Sequence, residues 1–96
     1  IHLRAIGELV EGVTATLATA ERSLNGVLVV FYDGDPQQGG EAFDAELIPH
    51  IRANDIYVTQ VKFHPRTCGK HTVFVVAGGG TAASATDTAR VTVKCE

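Results

Sequence analysis

The chain has 96 residues, 45% of them hydrophobic and 20% charged, with no Trp or Met. That is the composition of a globular protein with room for one domain, residues 1–96, rather than of a disordered segment. Eight basic residues against eleven acidic ones leave a net charge of −3, and no Lys/Arg run occurs. This argues against a nucleic-acid or anionic-membrane surface. The longest apolar run, residues 27–32, is far too short to span a bilayer, so no membrane insertion is expected. The chain opens on Ile1 without an initiator Met and reads as a fragment of a longer protein.

Short β-like runs follow one another, separated by turn residues. Residues 1–6 form a weak first strand. Residues 13–19 alternate, with Val13, Ala15 and Leu17 on one face and Thr14 and Thr16 on the other. Asn25-Gly26 reads as a turn. Residues 27–32 are apolar on both faces and β-branched, which predicts a central strand. Asp33-Gly34-Asp35-Pro36 ends it, and 37–40 reads as loop. Residues 42–48 form a further strand, shortened by Pro49. Glu41, Asp44 and Glu46 give it an acidic outer side that suits a protected edge. Residues 50–55 read as a loop or single helical turn. Residues 56–63 predict a strand with Tyr57, Val61 and Phe63 on one face, and 71–77 another. Residues 78–84 read as a loose Gly/Ala/Ser loop. Residues 86–94 alternate cleanly, with Ala89, Val91 and Val93 inward.

Only residues 8–21 compete as a helix, and their Thr content and Gly12 disfavour one. About seven strands in this length predict an all-β, immunoglobulin-like antiparallel β-sandwich with Greek-key connections. Val29, Phe31, Val61, Phe63, Val91 and Val93 are expected in its core.

The segment Val29-Val30-Phe31-Tyr32-Asp33-Gly34-Asp35-Pro36, followed by Gly39-Gly40, resembles the CARDB family (cell-adhesion-related domain of bacteria). Phe63-His64-Pro65 resembles that family's strand end, an aromatic shortly before Pro. Gly69-Lys70-His71-Thr72-Val73-Phe74-Val75-Val76 resembles its Val-rich strand. The likeness covers about two-thirds of the chain in order. Two places depart from the pattern. Thr19-Ala20-Glu21 stands where the family often has Asn, and residues 78–84 lack the acidic, Asn-containing loop before the last strand. The resemblance implies an extracytoplasmic module, often in tandem, with no catalysis of its own.

Cys68 and Cys95 are the two cysteines, and a small exported domain would pair them. If 71–77 and 86–94 form a hairpin, facing residue numbers add to about 163, which places 68 opposite 95. A one-residue register shift is also open, with Gly69 a site for a bulge. The bridge would close a loop of 28 residues (68–95). Such a loop is worth about 3.5 kcal/mol in the chain-entropy model. The competing reading is a pair of reduced thiols in a cytosolic protein.

His64, Cys68, His71 and Cys95 have the residue types of a tetrahedral zinc site, but the spacing matches no common zinc module. Asp33-Gly34-Asp35 has the look of a calcium loop, with Gln37, Glu41 or Asp44 as further oxygen donors. A tight turn explains it more simply. Gly78-Gly79-Gly80 lacks the Lys-Ser/Thr of a phosphate loop. Ser23 and Ser84 lie in expected loops without a nucleophile-elbow pattern. No catalytic residues, cofactor or obligatory metal are expected.

The sequence therefore predicts a non-enzymatic adhesion or interaction module of a bacterial surface or secreted protein. Its expected place is the cell surface, the extracellular space or the periplasm. A protein or carbohydrate partner and neighbouring domains of the same chain are expected. The alternative is a structural spacer or accessory domain that positions a catalytic neighbour. Fold does not separate these, whereas a contiguous exposed apolar patch would favour binding.

Overall fold

Period-two alternation along each apolar run decides which side chains meet. The computed structural model describes residues 2–8, 12–63, 65, 67–79 and 82–93. They form seven strands: β1 (His2–Glu8), β2 (Gly12–Ala18), β3 (Leu24–Asp33), β4 (Glu41–Ile51), β5 (Ile56–Lys62), β6 (Gly69–Gly79) and β7 (Ala82–Val93). One sheet has the order β1-β2-β5 and the other β4-β3-β6-β7, with antiparallel neighbours throughout. The chain changes sheets after β2, β4 and β5, so β6 returns to pair with β3 in the Greek-key manner. This is the expected immunoglobulin-like sandwich.

The inner faces supply the core. Val13, Ala15 and Leu17 of β2 pack with Val27, Val29 and Phe31 of β3, Val73, Val75 and Ala77 of β6, and Ala89 and Val91 of β7. Val61 and Phe63 are buried with them, and Val93 is half-buried against the cluster.

Several boundaries differ from the sequence reading. The Asn25-Gly26 dipeptide lies inside β3 rather than in a turn, because Leu24 and Asn25 pair with Ile51 and His50. Gly26 meets the backbone requirement there with φ of 66°. Pro49 does not end β4. This strand is an edge, where a residue without an N–H is tolerated. The expected loop at 37–40 contains a short 3-10 turn at Pro36–Gln38. The expected loose loop at 78–84 is largely strand among the described residues: β6 continues to Gly79 and β7 begins at Ala82, and these two pair. Backbone pairing needs no side chain, so small residues extend the hairpin.

Within that hairpin Val73 faces Ala89 and Gly69 faces Val93, so partners add to 162 and not 163. Val73, Val75, Ala89 and Val91 consequently share the inner face, and Phe74 faces Thr88 on the outer one.

A bulge in β4 moves a second aromatic inward. Phe31 faces Asp44 but Tyr32 faces Ala42, which leaves Phe43 as the extra residue. Its ring lies 4.7 Å from Phe63 and 6.2 Å from Phe31, centroid to centroid. The expected acidic outer side of β4 is also corrected. Glu46 pairs with Val29 and so shares its inward direction. It spans to the other sheet, where Tyr57 Oη donates to Glu46 Oε2 at 2.5 Å and Thr59 Oγ1 to Oε1 at 2.9 Å. This hydrogen bond raises the Tyr57 pKa above its ordinary 10.0, with desolvation and the carboxylate charge acting in the same direction.

The opposite seam is closed by backbone approach. Asp87 Oδ2 accepts the Ala5 N–H at 2.7 Å. A methyl group on Gly7 would lie 2.3 Å from the Arg90 carbonyl oxygen. Each seam is therefore bridged by one acid from the larger sheet.

Candidate binding face

β3 is apolar at successive positions, so burying Val27, Val29 and Phe31 necessarily turns Leu28, Val30 and Tyr32 outward. Among the described residues no strand is stacked on that outer side, and only the 3-10 turn lies beside its Tyr32 end. Register then decides their neighbours. Leu28 faces Leu47 of β4, and Val30 faces Ala45 of β4 and Val76 of β6. Tyr32 faces Phe74 of β6. Leu28 and Leu47 are exposed, while Val30, Tyr32, Phe74 and Val76 are half-buried by one another. The result is a continuous apolar stripe across three strands.

Hydroxyls border it on the β7 side. Thr86 faces Val76 and Thr88 faces Phe74, both exposed. At the other end of Tyr32 the 3-10 turn rises beside the sheet. Asp35 caps it by accepting the Gln37 N–H at 2.9 Å, and the Asp35 carbonyl accepts from Gln38 and Gly40. Between turn and sheet lies an open depression of about 450 Å³, lined by Tyr32, Phe74, Val76, Ser84, Thr86, Asp35, Pro36 and Gln37. The doubly apolar run pointed to β3, but Phe74 escaped sequence reasoning because its direction depends on a one-residue choice of register.

The expected ligand sets fall elsewhere. Asp33 and Asp35 take different partners: Asp35 caps the 3-10 turn, whereas Asp33 Oδ1 lies 3.0 Å from His71 Nδ1. His71 Nε2 lies 2.8 Å from the Thr67 carbonyl oxygen. Both ring nitrogens thus face acceptors, an arrangement only the imidazolium satisfies fully. The His71 pKa is accordingly raised above its ordinary 6.5, chiefly by the Asp33 hydrogen bond and against the effect of burial. Phe63 packs against the imidazole edge-on, with centroids 5.4 Å apart.

Of the zinc set, His64 and Cys95 lie outside the described residues, and His71 has both nitrogens engaged as above. Among the described residues no group of three or more His, Cys, Asp or Glu is placed to hold a metal ion. Of the calcium set's further donors, Glu41 and Asp44 stand on β4, and Asp44 accepts the neighbouring Ala45 N–H. Cys68 is exposed immediately before β6, and Gly69 beside it has φ of 106°. Gly69 pairs with Val93, and residues 94 and 95 lie outside the described residues. Ser23 is exposed between β2 and β3. Ser84, expected in a loop, stands on β7.

No helix among the described residues is long and apolar enough to cross a membrane. No protein-family model, curated protein or solved structure matches the chain.

Proposed function

We propose that this chain is a non-catalytic adhesion or interaction module of a bacterial surface or secreted protein, CARDB-like in kind and placed outside the cytoplasm. The observation that carries the reading is the apolar stripe from Leu47 and Leu28 to Tyr32 and Phe74, left open on the outer side of the larger sheet. Contiguous exposed apolar surface marks contact sites more than scattered single residues do. The partner is a protein or a carbohydrate, alongside neighbouring domains of the parent chain.

A Cys68–Cys95 disulfide belongs to the same proposal. It is supported by the pairing of Gly69 with Val93, which brings the two chain segments side by side, and by the absence of free cysteines among the described residues. A second reading, a structural spacer, draws on the 46 Å long axis against 23 and 16 Å for the others.

Display of the chain on an otherwise non-adherent bacterial surface separates the two. An interaction module makes those cells adhere to protein-coated or glycan-coated surfaces above the bare carrier. Adhesion equal to the carrier on every coating contradicts the module and leaves the spacer.

A further inference from the structure

The depression beside the 3-10 turn differs from the rest of the apolar face in its chemistry. Tyr32 and Phe74 are direct cross-strand partners, so both side chains stand on the outer surface and line the depression. Around them stand an exposed amide, Gln37, and two exposed hydroxyls, Ser84 and Thr86. The one charged side chain in the lining is Asp35. A ligand matching this site needs an apolar ring face and a rim of hydroxyls, and carries no negative charge. That combination is a neutral sugar.

The backbone supplies a second argument. The floor is formed by β3, β6 and β7; β3 and β6 are paired on both sides, and β7 is the edge strand. Over β3 and β6 an added peptide strand would find no free backbone ladder, so recognition there falls to side chains. The volume of about 450 Å³ lies within the range for small-ligand sites.

We propose that the Tyr32–Phe74 depression binds a neutral carbohydrate, one sugar ring lying against the aromatic side chains that line it with its hydroxyls on Gln37, Ser84 and Thr86. This rests on the interaction-module reading and narrows it to one end of the apolar face. The amide of Gln37 serves as both donor and acceptor, and each hydroxyl does the same. Asp35 has one carboxylate oxygen committed to Gln37 N, and its charge disfavours uronic acids and other anionic sugars.

The test is titration of the isotope-labelled chain with cellobiose, chitobiose, xylobiose and lactose in turn, with glucuronic acid as the anionic comparison, followed by amide chemical shifts. The expected result is saturable shifts with at least one neutral sugar, confined to residues around Tyr32, Gln37, Phe74, Ser84 and Thr86, and none with glucuronic acid. Phe74→Ala should weaken that binding about tenfold or more, equivalent to roughly 1.4 kcal/mol. Gln37→Ala, an exposed position whose backbone N–H to Asp35 the substitution keeps, should weaken it about threefold. Val58→Ser, on the other sheet, should leave it unchanged. Absence of shifts with every neutral sugar overturns the proposal, as do shifts that persist unaltered in both Phe74→Ala and Gln37→Ala. Adhesion to protein coatings without any sugar shifts also overturns it, while leaving the interaction-module reading intact.

Discussion

The two outer faces of the sandwich expose apolar side chains to the same degree but arrange them differently. On the three-stranded sheet Ile6, Ile56 and Val58 are 52%, 62% and 58% exposed. On the four-stranded sheet Leu28 and Leu47 are 45% and 63% exposed. Exposure alone therefore does not distinguish them. Register does. Ile6 faces Thr14, which faces Gln60, and Val58 faces Thr16, which faces Arg4. Ile6 and Val58 thus have polar cross-strand neighbours, and Ile56 on the edge strand faces only the small Ala18, which faces His2. On the larger sheet Leu28 faces Leu47, and Val30 faces Ala45 and Val76. Its apolar groups join into one stripe. Scattered exposed hydrophobes are ordinary on protein surfaces, whereas a joined stripe is the pattern that marks contact surfaces.

The strongest way to break the comparison is to remove what holds the two sheets together. Phe31 is fully buried between them and contacts the bulged Phe43. Phe31→Ala should cost about 3–5 kcal/mol in chemical denaturation, enough to unfold much of a small domain. A variant that melts like the parent would remove Phe31 from the core.

Glu46 tests the wider seam. Its carboxylate accepts from Tyr57 and from the buried Thr59. Glu46→Ala leaves the Thr59 hydroxyl without that acceptor, at a cost of about 1–3 kcal/mol. Glu46→Gln, which retains an acceptor, should recover part of that loss. Equal stability of all three proteins would mean that water replaces the carboxylate at no cost.

The His71 cluster gives a pH signature. Folding raises the His71 pKa, so its contribution to stability is complete below the ordinary value of 6.5 and is lost as pH rises through the raised value. Urea midpoints measured from about pH 5 to about pH 9 should fall across that window in the parent chain and flatten in His71→Gln. An unchanged slope in the variant would assign the pH dependence to other groups.

The smallest expected effect is the sharpest for function. Leu28→Thr with Leu47→Thr should change folding stability by no more than about 0.5 kcal/mol per site, since both side chains are exposed. A loss of several kcal/mol from either would place that side chain in the fold rather than on a contact surface.

Much of this was legible before the fold was known, and the remainder shows where sequence runs out. The alternation of Ala89, Val91 and their polar neighbours fixes β7, and the doubly apolar run fixes β3 as central. The open outer side of that run was not legible, because nothing in β3 says whether a neighbour covers it. Glu46 points inward through its pairing with Val29, and Phe43 through a bulge that exists only in the pairing of β3 with β4. Asn25-Gly26, Gly78-Gly79 and residues 82–84 have turn chemistry, but cross-strand pairing overrides it. The direction of Phe74, and with it the depression, hangs on hairpin partners adding to 162.

The most direct test sets the two faces against each other. Cells displaying the parent chain, Leu28→Thr/Leu47→Thr or Ile56→Thr/Val58→Thr are compared for detachment under flow from the coating to which the parent adheres. Loss of adhesion in the first pair with parental adhesion in the second is the predicted result. Parental adhesion in the first pair, with loss in the second, would contradict the assignment of the contact surface to the four-stranded sheet.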